Sequence, residues 1–143
     1  MEYEVVSHDE FVLCGITARV SNSEPAKIGE LWQRFYAEPF VDALEVEDGA
    51  VFSAYFDYEG DDADVYTTLV GFRVAGSQVA PAGLTLLTVR AAKYAMMRRS
   101  GPMPATVVET WKQVWSSDLR RTFVVDFDRY ASADTVEVNV GIE

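Results

Sequence analysis

The chain has 143 residues, 49% of them hydrophobic and 24% charged, which suits one globular domain and excludes both a disordered tail and two independent cores. Twelve Lys and Arg against 23 Asp and Glu leave a formal net charge of −11; phosphate backbones and anionic lipid are repelled, so neither nucleic acid nor membrane is an expected partner. One cysteine, Cys14, and one histidine, His8, exclude an intramolecular disulfide and a His/Cys metal cluster, and no metal or cofactor is expected.

Nucleophilic catalysis of the Ser-His-Asp or Cys-His kind would depend on His8, beside Asp9 and Glu10 in a segment expected to fray. Met1-Glu2-Tyr3-Glu4 does not start a signal peptide, and no apolar run is long enough to span a bilayer; a soluble, cytoplasmic chain is expected. Phe11 to Val20 is apolar and β-branched and predicts a strand, with Gly15 inside it. Asn22-Ser23-Glu24-Pro25 then opens a helix, with Ser23 as N-cap and Pro25 in the tolerated first turn. Ile28, Leu31, Trp32 and Phe35 form one apolar stripe on it. Val51 to Glu59 and Val65 to Val74 predict strands joined by the acidic turn Gly60-Asp61-Asp62-Ala63-Asp64.

The order then recurs. Leu84 to Arg98 predicts a strand, and Ser100-Gly101-Pro102-Met103-Pro104 opens a second helix striped by Val107, Trp111, Val114 and Trp115. Arg121 to Tyr130 and Thr135 to Ile142 predict two more strands. The Glu-x-Trp at Glu30 to Trp32 returns at Glu109 to Trp111, and Tyr55-Phe56-Asp57-Tyr58 is echoed by Asp126-Phe127-Asp128-Arg129-Tyr130. A duplicated βαββ unit explains this, with pseudo-repeats at about 1–75 and 82–143 of one domain spanning 1–143. Each half alone would be marginal. Two halves sharing a core create a seam, and seams are where small-molecule sites form.

In the last strand, alternation puts Val136, Val138, Val140 and Ile142 on one face and Glu137, Asn139 and Gly141 on the other. Glu137 is either a solvated carboxylate on an open sheet face or the floor of an aromatic cavity. In a cavity an unpaired charge is costly, and a cationic ligand would supply its partner. Tyr55, Tyr66 and Tyr94 are the strand aromatics available for the walls; Tyr and Trp faces attract organic cations by about 0.5–2 kcal/mol each. Trp32, Trp111 and Trp115, at helical spacing, read first as core. The acidic run from Asp57 to Asp64 lacks the alternating carboxylates of a calcium loop and reads as a solvated turn. Lys93, Arg98 and Arg99 are a short basic patch suited to surface acids, and no glycine-rich phosphate loop is present.

Taken in order, Ile28-Gly29-Glu30-Leu31-Trp32-Gln33-Arg34-Phe35, Tyr55-Phe56-Asp57-Tyr58-Glu59, Tyr66-Thr67 with Gly71, Ala92-Lys93-Tyr94-Ala95, Gly101-Pro102-Met103-Pro104, Val108-Glu109-Thr110-Trp111 with Trp115-Ser116-Ser117-Asp118-Leu119, and Val136-Glu137-Val138 resemble one family. This family is the GyrI-like small-molecule-binding domains, the effector-binding domain of AraC- and MerR-type transcription regulators. The chain looks closest to the stand-alone bacterial branch. The resemblance implies an α+β fold: two βαββ halves, an eight-stranded antiparallel sheet, two helices and a site at the pseudo-twofold seam. It implies Glu137 as the ligand's acid, Tyr55 and Tyr94 as walls, and a cationic or amphipathic, lipophilic ligand; Tyr66 and Trp111 are the further ligand-binding candidates. No helix-turn-helix remains, so a separate regulator or gyrase is the protein partner left open. Asn139 and Glu143 depart from the bulky and basic residues that relatives often carry there. The resemblance also leaves open a hydrolase of strained, cyclopropane-bearing electrophiles, with Glu137 activating water beside Tyr55 or Tyr94, and a gyrase modulator acting through its acidic surface.

Overall fold

Apolar residues at alternate positions drive strands, and two stripes at helical spacing drive helices that must lie on them. In the computed structural model of the protein, which describes residues 1–60 and 64–143, the elements are β1 (Glu4–His8), β2 (Phe11–Ser21), α1 (Pro25–Ala37), β3 (Val46–Phe56), β4 (Val65–Val74), β5 (Thr85–Val89), β6 (Ala92–Ser100), α2 (Ala105–Trp115), β7 (Val125–Ser132) and β8 (Thr135–Gly141). Asp61, Asp62 and Ala63 of the acidic turn lie outside the described residues. All eight strands form one antiparallel sheet in the order β1-β6-β8-β7-β3-β4-β2-β5. Exchanging β1–β4 for β5–β8 reverses that order and leaves it otherwise unchanged. The pseudo-twofold therefore passes through the β3–β7 pair, where Ala54 faces Phe127.

Four expectations need correction. Each half is ββαββ rather than βαββ, with β1 and β5 as the added strands. The segment around His8 is not frayed: β1 pairs with β6 from Glu4 opposite Met96 to His8 opposite Ala92, so its order comes from the neighbouring strand rather than from its own pattern. Leu84 to Arg98 is not one strand but β5 and β6, broken at Arg90 and Ala91. Ser23 does not cap α1; its hydroxyl bonds Ser21 at 2.8 Å, and Glu24 holds the cap position without a side-chain bond.

The two helices lie on one face of the sheet, α1 over β2 and β4, α2 over β6 and β8. Leu31 and Phe35 pack on Ile16 and Val70, while Val107 and Val114 pack on Met97, Val136, Val138 and Val140. Each such side chain contributes roughly 1.5–3 kcal/mol when fully buried. On the opposite face Phe11, Leu13, Phe52, Leu69, Tyr94 and Phe127 form a second core, joined by Val6 of β1 and Val89 of β5. Residues from the two edge strands thus meet in one cluster, and the sheet curls. Gly15 and Gly71 face each other across β2 and β4; a Cβ on Gly71 would lie 2.0 Å from the Cys14 carbonyl oxygen. Between the helices, β3 and β7 form the floor of a cleft.

Candidate functional site

The cleft has a volume of about 1090 Å³, room for a ligand with several rings. The helices line it with matching positions: Pro25, Ile28, Gly29, Trp32 and Tyr36 from the α1 side and Pro104, Val107, Val108, Trp111 and Trp115 from the α2 side. The strands contribute Tyr55, Tyr66 and Tyr130. Aromatic contacts cross the seam. Tyr55 of the first half meets Trp111 of the second edge-on at 5.4 Å, and Tyr130 of the second meets Trp32 of the first at 5.5 Å. Tyr66 closes on Tyr55 and on Tyr58, both at 5.6 Å. Edge-to-face geometry leaves ring faces for a guest.

Alternation along β7 turns Asp126, Asp128 and Tyr130 toward the helices and buries Phe127 in the other core. Asp128 is 0% exposed. It accepts hydrogen bonds from the Tyr55 hydroxyl at 2.5 Å and from Trp111 Nε1 at 3.0 Å, and it has no ion-pair partner among the described residues. Burial pushes its carboxyl up to about 7, against the pull of those two bonds and with help from the charge of Asp126. Burial likewise raises the Tyr66 hydroxyl to about 12 and holds that of Tyr55 well above its ordinary value. These phenols stay protonated and act as donors.

Asp126 is equally buried but fully partnered. It takes Arg121 Nη2 at 2.7 Å, the amide of Gly141 at 2.7 Å and the Tyr58 hydroxyl. At the rim, Arg129 bridges Asp48 at 2.8 Å and Glu137 at 3.0 Å; the Arg129 hydrogen bonds hold Asp48 below its usual range.

Of the residues singled out from sequence, Tyr55, Tyr66 and Trp111 come together in the cleft, and Glu137 and Tyr94 do not. The valine face of β8 is the one that packs under α2, so Glu137 must point to the opposite face. There its side chain, 20% exposed, is clamped by Arg98 and Arg129, so the expected absence of a protein cation is corrected. Tyr94 stands on that same far side, buried against Phe127 and His8; neither residue is placed to activate water for a cleft-bound electrophile. Trp32, Trp111 and Trp115 are not simply core: they line the cleft, and Trp115 is 53% exposed. Sequence reasoning passed over Asp126, Asp128, Tyr130 and Arg121. The signal was the alternation Asp126-x-Asp128-x-Tyr130, two acids and a tyrosine on one face of a predicted interior strand.

Among the described residues no group of three or more His, Cys, Asp or Glu side chains is placed to hold a metal ion, and no helix is long and apolar enough to cross a membrane.

A family model described as the GyrI-like small molecule binding domain matches residues 1–141. YobU of Bacillus subtilis strain 168, named as an inferred transcriptional regulator, is 30% identical over 125 residues, covering 81% of this chain and 78% of that protein. The integron cassette protein VCH_CASS2, from the mobile metagenome of Vibrio cholerae, superposes with a TM-score of 0.84 at 25% identity, covering 99% of this chain and 95% of its own. SAV2435, solved bound to tetraphenylphosphonium, gives 0.80 at 18% identity over 100% of this chain and 94% of its own.

Proposed function

The chain belongs to the GyrI-like small-molecule-binding family, and from that premise we propose that its cleft takes up lipophilic organic cations, with Asp128 as their anionic partner. One observation carries the reading: a fully buried carboxylate with no ion-pair partner among the described residues lies behind two crossed Tyr–Trp pairs. An isolated buried charge is unfavourable until an opposite charge arrives, and ring faces around it add about 0.5–2 kcal/mol each. Tyr55 and Trp111 serve twice, as walls and as the donors that orient the acid; Tyr66 extends the wall. The overall charge of −11 draws cations toward the protein. That SAV2435, of the same fold, was solved with an aryl phosphonium supports this choice of ligand class.

Calorimetric titration of tetraphenylphosphonium into the wild type and Asp128→Asn at pH 8 tests it. The Asn variant keeps the shape and loses the charge, so its affinity should fall about tenfold or more. Equal affinities would remove charge pairing from the mechanism.

A further inference from the structure

Resting on that cation-binding reading, we infer that Arg121 determines specificity: by occupying Asp126 it reserves the cleft for singly charged cations. Asp126 and Asp128 are two residues apart on the same face of β7, about 7 Å along the strand, and both are fully buried. Left to themselves, two such acids would ask for two positive charges. Arg121, on the segment between α2 and β7, supplies one of them. Its guanidinium sits where a ligand's cation would sit: on a buried carboxylate at 2.7 Å, with ring centroids of Phe123, Trp111 and Tyr58 at 4.2, 5.6 and 5.9 Å.

The segment is built to keep it there. Arg121 bridges to Ile142, and Thr122 donates its amide to the Gly141 carbonyl. Asp126 is the one acid paired with Arg121 among the described residues, and its buried Nε has no hydrogen-bond partner there. The remaining charges do not alter the balance. Asp48 and Glu137 are balanced by Arg129 and Arg98, two acids against two guanidiniums. Across the seam, β3 offers Tyr55 opposite Asp126 and Ser53 opposite Asp128, and no acid. Two carboxylates and one guanidinium leave a single negative charge for the guest.

The test compares tetraphenylphosphonium with a bis(triphenylphosphonium) dication by calorimetry at pH 8. In the wild type the dication should bind no more tightly than the monocation beyond the statistical factor of about two. Arg121→Gln frees Asp126, and the affinity ratio should move toward the dication by about tenfold. The double variant Arg121→Gln/Asp126→Asn should restore the wild-type ratio. Should Arg121→Gln fail to fold, Asp126→Asn answers the same question from the other side. With Arg121 released to pair with Asp128, monocation affinity should drop about tenfold although Asp128 is untouched; unchanged affinity would overturn the inference. An Arg121→Gln ratio equal to the wild type's would overturn it too, with the cation reading intact. A wild type that binds neither probe would sink both.

Discussion

Replacing Asp128 by Asn tests the energetics of the cleft without any ligand. Burial pushes this carboxyl from 3.8 up to about 7. Because the folded value is raised, the group's contribution to stability is fully present below the unfolded pKa. It is lost as pH rises through the folded one. The rise is roughly three units at about 1.4 kcal/mol each, so ionising Asp128 in the empty cleft costs about 4 kcal/mol, on the order of 3 of it between pH 5 and 8. Asn cannot ionise, and its side-chain oxygen still accepts from Tyr55 or Trp111. The variant's stability relative to wild type should therefore grow by about 3 kcal/mol from pH 5 to pH 8, a change in melting-point gap of roughly 6–12 °C. Urea denaturation of both proteins at pH 5, 6, 7 and 8 measures it. Repeating the series with saturating tetraphenylphosphonium adds a sign check: the cation should recover the wild type's loss at pH 8 and do little at pH 5. Parallel curves for the two proteins would refute the reasoning, since Asp128 would then titrate as an ordinary solvated carboxylate.

Tyr55→Phe removes a hydrogen bond that stabilises the charged form of Asp128; the pH at which cation affinity is half lost should move upward by on the order of one unit, read from titrations across pH 5 to 9. Glu137→Gln alters a residue on the far face, clamped by Arg98 and Arg129, and should leave tetraphenylphosphonium affinity within about twofold of wild type by the same calorimetry. A larger loss would return Glu137 to the site. Gly71→Ala places a Cβ against the Cys14 carbonyl at 2.0 Å, a clash with backbone that no rotamer relieves, and urea denaturation should show a loss of about 3 kcal/mol or more.

Why one acid was misjudged while the fold was legible follows from what each depends on. The apolar stripes, the turn residues and the recurrence of Glu-x-Trp are local signals, and they were enough for a duplicated unit with a seam, while the eight-stranded sheet came with the family resemblance. β1 escaped because its order is borrowed from β6, and its own residues are mostly exposed. For Glu137, alternation showed correctly that it lies opposite the valines, but it did not say which face carries α2. That answer was available in principle: the stripe of Val107 and Val114 needs an apolar partner, and the valine face of β8 is one. An acid opposite those valines must therefore look away from the helices. For Asp128 the obstacle was different. Its hydrogen-bonding cover comes from Tyr55 of β3 and Trp111 of α2, 73 and 17 residues away, so its own strand shows the face it shares with Tyr130 but not the dry environment around it.

The register of the central strand pair also explains why one acid is enough. Ser53 faces Asp128 directly across the β3–β7 pair, and directly opposed residues in an antiparallel pair have Cβ atoms about 4.5–5.5 Å apart. With an acid in place of Ser53, two buried carboxylates would share one site and only one could ionise. The second would add desolvation cost and no further attraction for a cation. A small residue facing Asp128 thus leaves the site with one charge, and the Tyr55–Trp111 and Tyr130–Trp32 pairs supply the walls. A Ser53→Asp variant should accordingly bind monocations no better than wild type and fold less stably at pH 8, and a gain in affinity there would show that charge, rather than its single placement, limits the site.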